Sequence, residues 1–200
     1  MEFQDQIELK AYDPKDQRRD VQGEYWANPD INAIMLNDKS IWRWCDVDAD
    51  CSHVNGFILN EVVTMCSTGC IPNVWRLTTD DGGVIVSWDK KILKKGLSMP
   101  HSPRKYKDDI LYCEAGNGSL NSLEHGIIML LPGFTRGLKI IGDLAYVGMS
   151  KLRYTDDWTM ELPIAKREPS PISGIAIVDL KTKQLLDVRE SNINEIIDLV

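Results

Sequence analysis

Apolar residues rarely recur at helical spacing in this chain. Short runs rich in β-branched and aromatic residues, bounded by Gly, Asp or Asn, follow one another instead. This pattern predicts an all-β protein. One unit is especially clear: two short strands around a polar turn, as in GGVIVSW, Asp89-Lys90-Lys91, ILKKGL. It returns as SLNSL, Glu124-His125-Gly126, IIMLL, and again as GIAIVDL, Lys181-Thr182-Lys183, QLLDV.

A second kind of strand pair, built around an acidic turn, alternates with these hairpins. It reads RKYKDDILYCEAG from Arg104 and RGLKIIGDLAYVGMS from Arg136, with Asp109 and Asp143 in matching places. HVNGFILNEVVTMCS from His53 is an earlier copy, INAIMLNDKSIWRWC from Ile31 reads as one more, and NINEIIDLV opens a further one. Four short antiparallel strands per unit predict a β-propeller-like array of four-stranded blades, in which each blade covers its neighbour's apolar face. A β-sandwich gives similar strand spacing and stays open. The copies are unevenly spaced: long from Asn60 to Asp109, shorter to Asp143, and too short for a blade from Asn37 to Asn60. The expected organisation is a polar N-terminal segment at 1–29 and a propeller-like domain at 30–200. That domain is expected to be partial, because a ring of four to eight blades needs more strands than 200 residues provide. Self-association through open edges follows as a possibility for such an arc.

Composition narrows the function classes. With 30 acidic against 23 basic residues and a net charge of −7, the chain lacks the basic balance of a nucleic-acid binder. Its longest apolar run, Gly126 to Leu131, stops at Pro132, far short of a membrane span. The N-terminus has no apolar signal stretch, so a cytoplasmic location is expected. Five cysteines fit free thiols better than a disulfide framework, and CSTGC departs from zinc-ribbon spacing. The run Asp46, Asp48, Asp50 imitates the start of a calcium loop, but Cys51 and Phe57 stand where that loop needs Gly and Glu. The six tryptophans read as packing residues, and His125 as an exposed turn residue. No G-x-S-x-G, H-E-x-x-H or phosphate loop is present, so whether the protein is an enzyme stays open.

The candidate chemistry lies in the segments that join successive units: CSHVNG, MPHSPR, LPGFTRG and SNINE. In a propeller such segments converge on one end of the channel, which gathers His53, Asn55, His101, Ser102, Arg104, Thr135, Arg136, Asn192, Asn194 and Glu195. Two ligand readings follow. Arg104 and Arg136, with Lys151 and Arg153 from GMSKLR, suit a pocket for a small anionic or polar molecule, because guanidinium forks bind carboxylates and phosphates bidentately. His53 and His101, with Glu195 or Asn55 as oxygen donor, suit a divalent metal in a hydrolase or lyase. The same polar residues can instead tie blades together by bonding buried carbonyls and carboxylates, and the blade surfaces can serve as a scaffold for a protein partner.

The strings SHVNG, DDGGVIV, GLSMPHSPRKY, LPGFTRGL and YVGMSKLR, in this order and spacing, resemble a family of bacterial conserved hypothetical proteins expected to be β-propellers. The resemblance spans about Cys51 to Val200. It implies a propeller fold and points to His53, Asn55, His101, Ser102, Arg104, Arg136, Gly137, Ser150, Lys151 and Arg153, without supplying an activity.

Overall fold

The computed structural model describes residues 9–10, 15–153 and 157–199. After a two-residue strand β1 (Leu9–Lys10), the chain lays down four antiparallel sheets, each with four strands in sequence order. The first holds β2 (Lys15–Asp20), β3 (Gly23–Asn28), β4 (Ala33–Leu36) and β5 (Lys39–Arg43). The second holds β6 (Val54–Ile58), β7 (Val62–Met65), β8 (Gly83–Ser87) and β9 (Ile92–Leu97). The third holds β10 (Pro100–Tyr106), β11 (Asp109–Glu114), β12 (Ser119–Ser122) and β13 (Gly126–Leu130). The fourth holds β14 (Phe134–Ile141), β15 (Leu144–Ser150), β16 (Gly174–Asp179) and β17 (Gln184–Glu190). A last strand, β18 (Asp198–Leu199), pairs antiparallel with β1.

The first strands of the sheets stand side by side: β2 touches β6, β6 touches β10, β10 touches β14 and β14 touches β18. This succession of blades, rather than two facing sheets, is a propeller-like arrangement. Burial follows from it. Every residue of β6 and β7 is buried, whereas β9 and β17 are mostly exposed. The exposed strand β9 carries Lys94 and Lys95, charges that discourage pairing of an outer edge with another chain. The apolar faces are shared between neighbours. Tyr25, Ile34 and Trp42 of the first sheet pack with Val54, Phe57, Val63 and Val86 of the second. Ile58, Val62 and Ile85 of the second meet Tyr112 of the third, and Leu111, Cys113 and Leu120 of the third meet Leu138, Val147 and Val178 of the fourth. No sheet completes a core alone, which is why the blades must stack.

The alternation of hairpins and acidic-turn pairs holds in the second to fourth sheets, where the two kinds of pair are the inner and outer halves of a blade. The first sheet corrects the reading of INAIMLNDKSIWRWC. That stretch forms β4 and β5, an outer pair, and the inner pair of the same blade comes from residues 15–28. Asn37 and Asn60, both at positive φ, therefore lie in different turns of their blades, which explains their short separation. No strand is missing between Trp42 and His53. The first sheet also begins before residue 30, the expected start of the domain. The tail, read as the opening of a further copy, contributes β18, which lies beside β14 and pairs with β1.

The connections from second to third strand come in two sizes. In the first and third sheets they are short: residues 29–32, with Asn32 at φ 56, and residues 115–118, ending on Gly118 at φ 60. In the second and fourth sheets the same connection swells to residues 66–82 and 151–173, and the latter contains the single-turn helix α1 (Pro163–Arg167). These two insertions pack against each other. Cys66 and Trp75 of the first share a core with Trp158, Leu162 and Ile164 of the second, over Met99, Ala115 and Phe134. Arg167 anchors the second insertion to the third sheet by donating to the carbonyls of Asn117 (2.6 Å), Gly118 (3.3 Å) and Leu131 (2.7 Å).

Candidate functional site

The two insertions, with the segment leading to β18, build a polar cluster at the start of β14. Aromatic contacts set its frame. His53 stacks on Trp75 at 3.9 Å between ring centroids, and Trp75 meets Trp158 edge-on at 5.6 Å. Asp50 fixes this stack from below: its Oδ2 lies 2.7 Å from His53 Nδ1 and accepts from Trp75 Nε1 at 3.0 Å. The loop that carries Asp50 is held by Asn32, whose buried side chain donates to Val47 O and Ala49 O and accepts from the backbone of Cys51 and Ser52.

Arg136 leaves β14 toward this frame. Its guanidinium lies 4.7 Å from the centre of the Phe134 ring, and its Nη1 pairs with Glu195 Oε1 at 2.8 Å. Arg153 closes on the other side of Glu195 and contacts both carboxylate oxygens. Burial favours the neutral acid, but the two guanidinium groups outweigh it and hold the Glu195 carboxyl below its ordinary value. Burial also pulls the Arg136 guanidinium down from its ordinary value, against the opposing effect of Glu195. Two spaces adjoin this pair. An open groove of about 690 Å³ runs past Lys151, Leu152, Arg153, Pro169, Pro171, Asn194 and Glu195. Beneath it, a space of about 30 Å³ lies between Phe134, Arg136, Lys151, Arg153, Trp158 and Thr159, enough for a water-sized group. Arg136 Nε and Trp158 Nε1 are both buried, and neither has an acceptor among the described residues. Three cationic side chains and one carboxylate thus line the two spaces.

The residues expected in a ring of linkers divide into two groups. Arg136, Asn194 and Glu195 come together as described, joined by Lys151 and Arg153 from GMSKLR. The others lie elsewhere or bond within the protein. Asn55, His101, Ser102, Arg104 and Arg136 sit on the first strands β6, β10 and β14 rather than in the linkers, because the strands begin earlier than the linker strings suggest. Asn55 Nδ2 donates to Pro100 O and to Cys66 Sγ, both at 3.0 Å, tying the second sheet to the third. Ser102 Oγ accepts from Gly137 N at 3.1 Å, tying the third sheet to the fourth. Gly137 is required there: its φ is 69, and a Cβ would stand 2.9 Å from the Asp198 backbone. Ser150 Oγ donates to Ile196 O and accepts from Ile196 N, and Arg104 Nη2 reaches Asp198 Oδ1 at 3.1 Å. Asn55 and Ser102 tie one blade to the next, and Ser150 and Arg104 tie blades to the segment around β18. His101 is buried on β10, and His53 is committed to Asp50 and Trp75. Among the described residues no three His, Cys, Asp or Glu side chains are placed to hold a metal ion, so His53, His101 and Glu195 do not form a common donor set. His125 is exposed in the β12–β13 turn.

Three contributors were not legible as site residues: Trp158 and Thr159, which line the small space, and Asn32, which holds the Asp50 loop. The long interval from Asn60 to Asp109 signals the insertion at 66–82, whereas Trp158 and Thr159 lie beyond Asp143, past the last interval of the repeat.

Comparison with known proteins adds a family. The family described as Domain of unknown function (DUF4915) matches residues 44–200, which cover the second to fourth sheets and both insertions. No curated protein matches the chain. Among solved structures, the computationally designed Ika8 protein is similar with a TM-score of 0.49 and 12% identity, over 91% of this chain and 50% of that one. The computationally designed Ika4 protein has a TM-score of 0.41 and 12% identity, over 71% of this chain and 74% of that one. The chain thus spans half the length of the Ika8 chain. No described helix is long and apolar enough to cross a membrane. A match over most of its length means that the chain belongs to the DUF4915 family, a family whose name assigns no function.

Proposed function

We propose that the protein binds a small anionic ligand, a carboxylate or a phosphate, in the groove beside Lys151, Arg153 and Asn194, with one acid oxygen entering the space between Arg136 and Trp158. The observation that carries this reading is the pair of buried donors, Arg136 Nε and Trp158 Nε1, that have no acceptor among the described residues and whose side chains line the same water-sized space. A buried donor left unpaired costs about 1–3 kcal/mol, so an acceptor oxygen delivered there gains more than one bound at an open surface. The charge balance supports the same ligand class. Glu195 neutralises one of three nearby cations, which leaves attraction for a further anion. Arg104 has no part in this reading, because it faces Asp198.

Calorimetric titration with inorganic phosphate and with acetate tests the proposal. The Lys151→Ala plus Arg153→Ala double variant is expected to bind at least one of these anions more weakly than the unaltered protein by about tenfold or more, since even one lost charge-assisted hydrogen bond costs about 1.5 kcal/mol. Arg104→Ala is expected to bind as the unaltered protein does. Equal affinity in the double variant and the unaltered protein, or no binding of either anion by the latter, would sink the proposal.

A further inference from the structure

A thiol cluster lies outside this site, between the loop at 44–53 that leads into β6 and the insertion at 66–82. The two segments are clamped together at both ends of the cluster. Trp44 Nε1 donates to Thr68 O at 3.0 Å, and Asn73 N donates to Asp50 O at 2.7 Å. Cys45 follows Trp44 directly, Cys51 follows Asp50, and Cys70 falls between Thr68 and Asn73. Within the clamp the Cys45 side chain lies within electrostatic range of those of Cys70 and Cys51. Cys70 is exposed, Cys45 is half-buried and Cys51 is buried, so the first two are the pair a reagent can reach. All five cysteines are free thiols. Because no trio of ligating side chains among the described residues is arranged for a metal ion, these sulfurs have each other as natural partners.

We propose that Cys45 and Cys70 form a reversible dithiol–disulfide site that exchanges with low-molecular-weight disulfides. The Cys45 thiolate attacks one sulfur of the reagent RSSR, breaks its S–S bond and expels RS⁻, which leaves a mixed disulfide on Cys45. Cys70 then gives up its proton, attacks the Cys45 sulfur and expels the second RS⁻. The protein loses two electrons and two protons, and RSSR is reduced to two RSH. Cys70 takes the second step because local desolvation of its sulfur, followed by the nearby Cys45, pushes its thiol up to about 11, and a protonated thiol is a poor first nucleophile. The resulting bond would join the β5–β6 loop to the β7–β8 insertion. It would lock the backbone around Asp50, the residue that holds both His53 and Trp75.

The test is to incubate the folded protein with glutathione disulfide, block remaining thiols with N-ethylmaleimide, and map the peptides by mass spectrometry without reduction. The expected product has lost two of its five thiols, carries a Cys45–Cys70 link that dithiothreitol reverses, and keeps Cys66 and Cys113 as free thiols. In Cys70→Ser, Cys45 is expected to stop at the glutathione mixed disulfide. Five thiols that all remain free, a link from Cys45 to Cys51 in place of Cys70, or zinc bound stoichiometrically by the purified protein would each overturn the proposal. The unaltered protein alone decides between these outcomes, so the conclusion does not depend on how well the variant folds.

Discussion

Arg136→Ala is expected to destabilise the protein by about 3 kcal/mol in urea unfolding, at the lower end of what breaking a buried ion pair costs. Arg136 is 13% exposed and Glu195 24% exposed, so removal of the guanidinium leaves a largely buried carboxylate with Arg153 as its remaining cation. The loss extends beyond the pair. Glu195 belongs to the segment that Ser150 fixes through Ile196, and Ile196 and Leu199 share a small core with Tyr146. The end of the chain is therefore expected to loosen together with the site. Arg136→Lys keeps the charge and loses Nε and the fork, so it is expected to retain more stability than the alanine variant while losing the Nε donor. A change within about 0.5 kcal/mol for Arg136→Ala, typical of surface substitutions, would show that the ion pair is not a buried element of the structure.

Phe57→Ala is expected to cost about 3–5 kcal/mol, the range for removing a large aromatic side chain from a packed interior. Phe57 is fully buried on β6, where it packs with Tyr25, Ile34 and Trp42 of the first sheet as well as Val63 and Val86 of its own. The cavity would open between blades, so the variant weighs the stacking of sheets rather than the stability of one hairpin. Ile127→Ala makes the control. That side chain lies on the outer strand β13 and is 58% exposed, so its loss is expected to cost less than about 0.5 kcal/mol. Similar costs for the two variants in urea unfolding would contradict the shared core between the first and second sheets.

The repeat was legible because each blade contains two hairpins whose turns need positive φ or a polar cap, and Asn60, Lys107 and Gly142 mark the inner turns as Lys90, Gly126 and Lys183 mark the outer ones. Its phase was less legible in the first blade. KDQRRD lacks the apolar alternation of the other inner strands, so the first recognisable hairpin there is the outer one. The polar residues of the linker strings were also visible, but their types do not separate a ligand site from a tie between blades. Ser102 and Ser150 satisfy backbone groups of neighbouring segments, and Arg136 and Arg153 line the small space, although all four are small or cationic residues of repeated strings. Trp158 was hidden for a different reason. It lies in an insertion without counterpart in the short connections at 29–32 and 115–118, so no repeat aligns it with anything, and only packing against Trp75 brings it to Arg136.

Binding of an acid oxygen between Arg136 and Trp158 is tested most directly by the indole N–H signals in a ¹⁵N–¹H spectrum, recorded while inorganic phosphate and, separately, acetate are added. Six tryptophans give six signals, and the one missing from Trp158→Phe belongs to Trp158. That signal is predicted to move along a saturating curve with at least one of the two anions, because a donor with no acceptor among the described residues gains one. The signal of Trp42, whose Nε1 already donates to Trp88 O at 2.9 Å, is predicted to stay in place. A Trp158 signal that stays in place with both anions would contradict the binding site proposed here.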